Sequence, residues 1–163
     1  VNRNNVFPDY LRTGSYRPRE AFMTYSNAMD VGDPSNFVRI MEIFGGNHEA
    51  VKERIMSTSI DDAQTLEGIR RCYEDTEYIL DPHGAVGYQA WNLLKTQFAP
   101  DQNYILLETA HPAKFRDSVE KAIDHEIDMP GRLAACLEKP KRAIPVGTDF
   151  EGFRDQLTAS FCD

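Results

Sequence analysis

Residues 104–115 read Tyr104-Ile105-Leu106-Leu107-Glu108-Thr109-Ala110-His111-Pro112-Ala113-Lys114-Phe115. The four-residue apolar run closed by Glu108-Thr109 predicts a short, buried parallel strand. Pro112 suits the first position of a helix, and behind it Phe115, Val119, Ala122 and Ile123 share one helical face. Strand, turn and helix in that order make one unit of an α/β layer fold, and ligands bind at the carboxyl ends of strands in open α/β sheets. Thr109 offers a neutral hydroxyl at that point, with His111 and Lys114 beside it. A plain βα turn would look the same.

Similar units flank it. Asp33-Pro34 and Asp81-Pro82 each set a cap before a proline. Behind Pro34 the stripe Phe37, Ile40, Met41, Phe44 stops at Gly45-Gly46, and a short helix follows over 48–55 with Val51 and Ile55 four apart. Ser59 with Asp62 predicts a capping box for a helix carrying Leu66, Ile69, Cys72 and Tyr73. Behind Pro82 come Val86, Ala90, Leu93, Leu94 and Phe98. Residues 21–25 and 78–80 are further strand candidates. The opening twenty residues show no clear period. The tail from Pro130 predicts two short amphipathic helices, the last capped by Thr148 and Glu151. The expected division is a loop-rich segment over 1–33, an α/β part over 34–127 and a helical tail over 128–163.

The chain's 163 residues, 41% hydrophobic, suffice for one core. With 18 Lys+Arg against 26 Asp+Glu the net charge is −8, which argues against nucleic-acid binding and against a basic membrane footprint. No apolar run approaches the length of a membrane span. Cys72, Cys136 and Cys162 are odd in number and show no paired spacing, which fits a reduced, soluble, cytoplasmic protein. The four histidines lack a ligand-like spacing, so no metal site is expected.

Two more segments carry polar detail. Ser26-Asn27-Ala28-Met29-Asp30-Val31-Gly32-Asp33-Pro34-Ser35-Asn36-Phe37 lies between a strand candidate and a helix. Ser26, Asn27, Ser35 and Asn36 are neutral hydrogen-bonding groups, and Arg39 follows one turn into the helix. Helix amides and an arginine suit an anion such as phosphate, although turn chemistry alone also explains these residue types. Asp81-Pro82-His83-Gly84-Ala85-Val86-Gly87-Tyr88 places His83 at a helix start, with Gly84 and Gly87 on one side, open to close approach by another backbone.

In this order, residues 26–37, 81–88 and 109–115 resemble the C-terminal portion of the threonine synthase family. Residues 2–11, Asn2-Arg3-Asn4-Asn5-Val6-Phe7-Pro8-Asp9-Tyr10-Leu11, resemble the segment preceding them there; the match loosens after about Asp128. The resemblance implies the tryptophan synthase beta-like fold of pyridoxal 5'-phosphate (PLP) enzymes, fold type II. It also implies conversion of O-phospho-L-homoserine and water to L-threonine and phosphate. The cofactor would be the electron sink, with the protein supplying orientation and anion recognition. By resemblance Thr109 faces the pyridine nitrogen, and His111 and Lys114 lie near the cofactor. Asn2, Asn5, Ser26, Asn27, Ser35, Asn36 and Arg39 lie near the substrate.

The family's Schiff-base lysine sits in a Ser-Phe-Lys-Asp type of run, and neither that run nor the glycine-rich phosphate loop occurs here. The expectation is therefore a C-terminal fragment, inactive alone, whose partner is the N-terminal remainder of its own chain. Strands lacking their partners would leave an open edge, exposed or covered by self-association. The alternative is a stand-alone α/β binding or interaction module that keeps the scaffold without the chemistry.

Overall fold

The computed structural model describes residues 1–100 and 102–161, so the reading of Cys162 lies outside the described residues. They form two compact units, Val1–Asp128 and Met129–Asp163. Helices dominate, and among the described residues there is no β-strand. The first unit holds α1 (Val6–Thr13), α2 (Phe37–Ile43), α3 (His48–Arg54), α4 (Asp62–Thr76), α5 (Pro82–Leu94) and α6 (Arg116–Ile123). The second holds α7 (Gly131–Leu137) and α8 (Phe150–Phe161).

Helix α1 falls where no period was expected. Val6, Tyr10 and Leu11 are its buried face, and Pro8 is harmless because a first-turn residue has no intrahelical N–H bond to lose. Gly14 ends it at φ 72°, returning its N–H to the Tyr10 carbonyl at 2.8 Å. His48 Nε2 donates to the carbonyls of Tyr10 and Leu11 at 3.0 Å each, satisfying the exposed end of the helix. Tyr10 and Leu11 pack with Phe37 of α2 and Val51 of α3 into one apolar core, flanked by Ile40, Met41, Phe44 and Ile55. The expected stripe over 37–44 is therefore real. Its cap is different: α2 begins behind Asn36, and Asp33 instead accepts a hydrogen bond from the Tyr16 hydroxyl at 2.7 Å.

Helix α4 packs against α5 and α6, burying Ile69 and Cys72 with Ala85, Val86, Val119 and Ile123. Fully burying a branched side chain such as Ile69 or Val119 contributes about 1.5–3 kcal/mol. The capping box of α4 is Asp61 with Gln64, not Ser59 with Asp62. Asp61 accepts from the Gln64 N–H at 2.8 Å, and Gln64 Oε1 accepts from the Asp61 N–H at 2.9 Å. The Ser59 hydroxyl goes to the Asn2 carbonyl. On α5 the inner face is Ala85, Val86 and Gln89, while Leu93 is exposed. Pro112 opens a single 3₁₀ turn, Pro112–Phe115, before α6 proper. In the second unit α8 is capped by Asp149, one residue beyond Thr148, which accepts from the Gly152 N–H at 2.7 Å.

The α/β expectation needs correcting at its centre. Residues 21–25, 78–80 and 104–107 form no strand, and the run taken for a buried strand lies open. Its exposures are 38% at Tyr104, 87% at Ile105, 43% at Leu106 and 75% at Leu107, an alternation of period two. The inner residues step along α5. Tyr104 meets Trp91 with ring centroids 4.5 Å apart, and a Cβ on Gly87 would lie 2.9 Å from Leu106 Cδ1. A Cβ on Gly84 would overlap the Glu108 carboxylate. The glycines expected to admit another backbone thus admit side chains of this run. The segment has the alternation of a strand and a helix beneath it, but no ladder partner among the described residues.

Candidate functional site

The polar residues at the start of the chain form a knot that the sequence reading only partly anticipated. Asn2 Nδ2 donates to Thr24 Oγ1 at 3.1 Å, Ser26 Oγ at 3.0 Å and Asp30 Oδ1 at 2.9 Å. Asn4 Nδ2 donates to Asn2 Oδ1, to the Phe22 carbonyl and to Asp30 Oδ1, each at 3.0 Å. Thr24 adds its N–H to Asp30 Oδ2 at 2.8 Å and its hydroxyl to Asp30 Oδ1 at 2.6 Å. Asn2, Asn4, Thr24 and Ser26 are buried. Unpaired, each would carry a desolvation cost, so the network holds residues 2–4 to the loop over 22–30. Asn4, Thr24 and Asp30 were missed. The bonds that join the two segments link residues eighteen to twenty-eight apart in sequence, and no local spacing announces such pairs.

One side of the knot opens on a cavity of about 350 Å³. Asn2, Ser26 and Asn36 reach its wall with Asn4 and His83, while Phe7, Met29, Phe37 and Val86 supply apolar surface. Three of the ten sequence-derived candidates thus meet in one place. Asn5 does not join them, its Oδ1 accepting from Arg19 Nη2 at 2.6 Å. Ser35 and Arg39 are exposed near the start of α2; Ser35 borders a separate shallow pocket with Tyr16 and Asp33. Asn27 and Lys114 line another cavity, of about 670 Å³, together with Tyr25 and Arg116.

At the far end of the open run Thr109 is exposed, next in register after Ile105 and Leu107. His111 is spent locally, its Nδ1 accepting from the Ala113 N–H at 3.1 Å as the cap of the 3₁₀ turn. Between them and α5 sits an acidic pair that the sequence did not flag. Asp81, fully buried, caps α5: its Oδ1 accepts from the His83 backbone N–H and from His83 Nδ1, both at 2.6 Å. The Asp81 N–H in turn donates to Glu108 Oε1 at 3.2 Å. Burial works to raise the Asp81 pKa, but the neighbouring Glu108 side chain and the hydrogen bonds from His83 outweigh it and hold the carboxyl below its ordinary range. Burial first, then Asp81, push the Glu108 carboxyl up to about 8. Among the described residues no group of three or more His, Cys, Asp or Glu side chains could hold a metal ion.

Residues 84–156 match the family model described as threonine synthase, C-terminal. The chain is 34% identical over 160 residues to the threonine synthase of Haemophilus influenzae, covering 98% of this chain and 36% of that protein. The chain is homologous to the C-terminal portion of threonine synthases. The Escherichia coli threonine synthase is 35% identical over 94% of this chain and 35% of its own length. In structure, threonine synthase from E. coli superposes with a TM-score of 0.79 at 33% identity, covering 98% of this chain and 36% of that one. The PLP-bound threonine synthase from Brucella melitensis gives 0.69 at 25% identity, over 86% and 35%. This chain therefore spans about a third of the length of the threonine synthases it matches.

Proposed function

We propose that this chain supplies the C-terminal part of a PLP-dependent threonine synthase, a lyase that turns O-phospho-L-homoserine and water into L-threonine and phosphate. The observation that carries the reading is Thr109. Its exposed hydroxyl closes an apolar ladder, Ile105 and Leu107, that has no cover of its own among the described residues. An apolar face ending in one neutral hydroxyl fits one edge of a flat heteroaromatic ring. The donors here suit the pyridine nitrogen alone. The amine for a Schiff base and the cradle for the cofactor phosphate are expected from the N-terminal remainder, the chain's proposed partner.

When bound, PLP supplies the electron sink for the carbon chemistry. The chain's own residues bind and orient. Thr109 meets the ring nitrogen with a group that does not demand its protonation, whereas a carboxylate would. Lys114 and His111 border the cofactor side. Asn2, Asn5, Ser26, Asn27, Ser35, Asn36 and Arg39 remain the candidates for the substrate side. Of these, Asn2 and Ser26 act through the wall they hold, because their amide and hydroxyl are already engaged. Asn36 and Arg39 are free to meet a phosphate at the start of α2. The division into a cleft segment over 1–33, a middle part over 34–127 and a helical tail is kept as part of this reading. A cytoplasmic location is proposed with it.

The test joins the N-terminal two-thirds of the E. coli enzyme to this chain and measures phosphate release from O-phospho-L-homoserine. The joined protein should form threonine, and this chain alone should neither take up PLP nor release phosphate. A joined protein that folds and binds PLP but forms no threonine would overturn the reading.

A further inference from the structure

Three carboxylate or imidazole atoms between α5 and the open run are buried without a partner among the described residues: Asp81 Oδ2, Glu108 Oε2 and His83 Nε2. The two oxygens belong to residues already tied by the Asp81 N–H bond to Glu108 Oε1. Two ionised carboxylates held so would repel each other and leave both oxygens unsatisfied. One proton between them gives Glu108 a hydroxyl to donate and Asp81 a bond to accept. Asp81 is the better acceptor, because the His83 backbone and ring already stabilise its charge at a helix N-terminus. The seat is shaped for this, since any Cβ on Gly84 would collide with Glu108 Oε2. Glu108 is also only partly exposed where Leu107 and Thr109 on either side are exposed, so it is the point at which the turn is fastened.

We propose that Glu108 is a neutral carboxylic acid sharing its proton with Asp81, and that this buried pair is the positioning device that fixes Thr109 on the cofactor side. The second half rests on the proposed function; the first does not. Asp81 is the titratable group that faces Glu108, and His83 in turn contacts Asp81. The carboxyl's rise to about 8 agrees with the geometry. Folding takes up this proton between the ordinary value of 4.5 and about 8. Its contribution to stability is therefore complete below 4.5 and lost as the pH rises through about 8.

The test has two arms. In the full 163-residue chain, infrared spectra should show the carbonyl stretch of a protonated carboxyl at pH 7. The band should vanish with a midpoint near pH 8 and be missing in Glu108→Gln. Thermal stability should fall with rising pH across that range in the parent chain but not in Glu108→Gln, whose amide can accept from the Asp81 N–H and donate to Asp81 Oδ2. A folded parent chain without the band at pH 6 overturns the shared proton. In the enzyme joined to its N-terminal part, Glu108→Ala should weaken PLP binding on the order of tenfold, as losing a supporting partner costs elsewhere. Glu108→Gln should restore it. PLP bound equally well by Glu108→Ala overturns the positioning role. A joined enzyme that never binds PLP removes the proposed function and that role together, while the infrared band stands or falls by itself.

Discussion

Replacing Asp30 by Asn tests whether the knot at the chain's start is held by a carboxylate or merely by crowding. Asp30 Oδ1 accepts three bonds, from Asn2 Nδ2, Asn4 Nδ2 and Thr24 Oγ1, and Oδ2 accepts one from the Thr24 N–H. Asparagine can keep its oxygen at the three-donor position. Its NH₂ then faces the Thr24 N–H, donor against donor, which forfeits that bond at a cost of about 1–3 kcal/mol. The three remaining bonds also lose their charged acceptor, and charge-assisted bonds are roughly twice as strong as neutral ones. Together these give about 3–4 kcal/mol, a large part of the roughly 5–15 kcal/mol by which domains are stable. Urea unfolding of the two proteins should show a lower midpoint at unchanged slope. Asp33→Asn, which disturbs only the exposed bond from Tyr16, is the control and should stay within about 0.5 kcal/mol. A loss below about 0.5 kcal/mol for Asp30→Asn would refute the reasoning, since the network would then not need the charge.

Gly68→Ala should destabilise α4 against α5, because its Cβ would lie 2.7 Å from Gln89 Cγ and 3.2 Å from the Ala85 carbonyl oxygen. Overpacking of about 1–3 kcal/mol outweighs the helix-propensity gain of about 1 kcal/mol; a thermal midpoint that rises would contradict the close approach. Asp61→Ala removes the capping box of α4 and should cost about 1 kcal/mol in chemical denaturation, and an unchanged midpoint would return the cap to Ser59.

Where the apolar spacing and a cap lie within a few residues of each other, the sequence is enough. Phe37, Ile40, Met41 and Phe44 before Gly45-Gly46, Val51 and Ile55, and Val119 with Ile123 all pack as their spacing implies. Caps are less secure, since Ser59, Asp61 and Asp62 are all chemically able and only the geometry of the turn selects Asp61. Helix α1 was readable from Val6, Tyr10 and Leu11, but Pro8 disguised it. The run over 104–107 shows the limit most clearly. An alternation of two says that a chain is extended with two different faces; it does not say whether either face meets a strand. Here one face meets the glycines and Trp91 of α5, and the other meets nothing in the described chain. At the candidate site, residue types pointed to Ser26 and Asn36 and the family resemblance to Asn2, whereas Asn4, Asp30 and the Asp81–Glu108 pair exist only through contacts between distant segments.

Trp91, the chain's one tryptophan, lies with its ring tilted 4.5 Å from Tyr104 and 5.4 Å from Phe98 at the foot of that open ladder. Nature has thereby placed a single fluorophore beneath the surface whose covering matters most. Its emission colour and quenching report, without any added label, whether Ile105 and Leu107 are wet or dry.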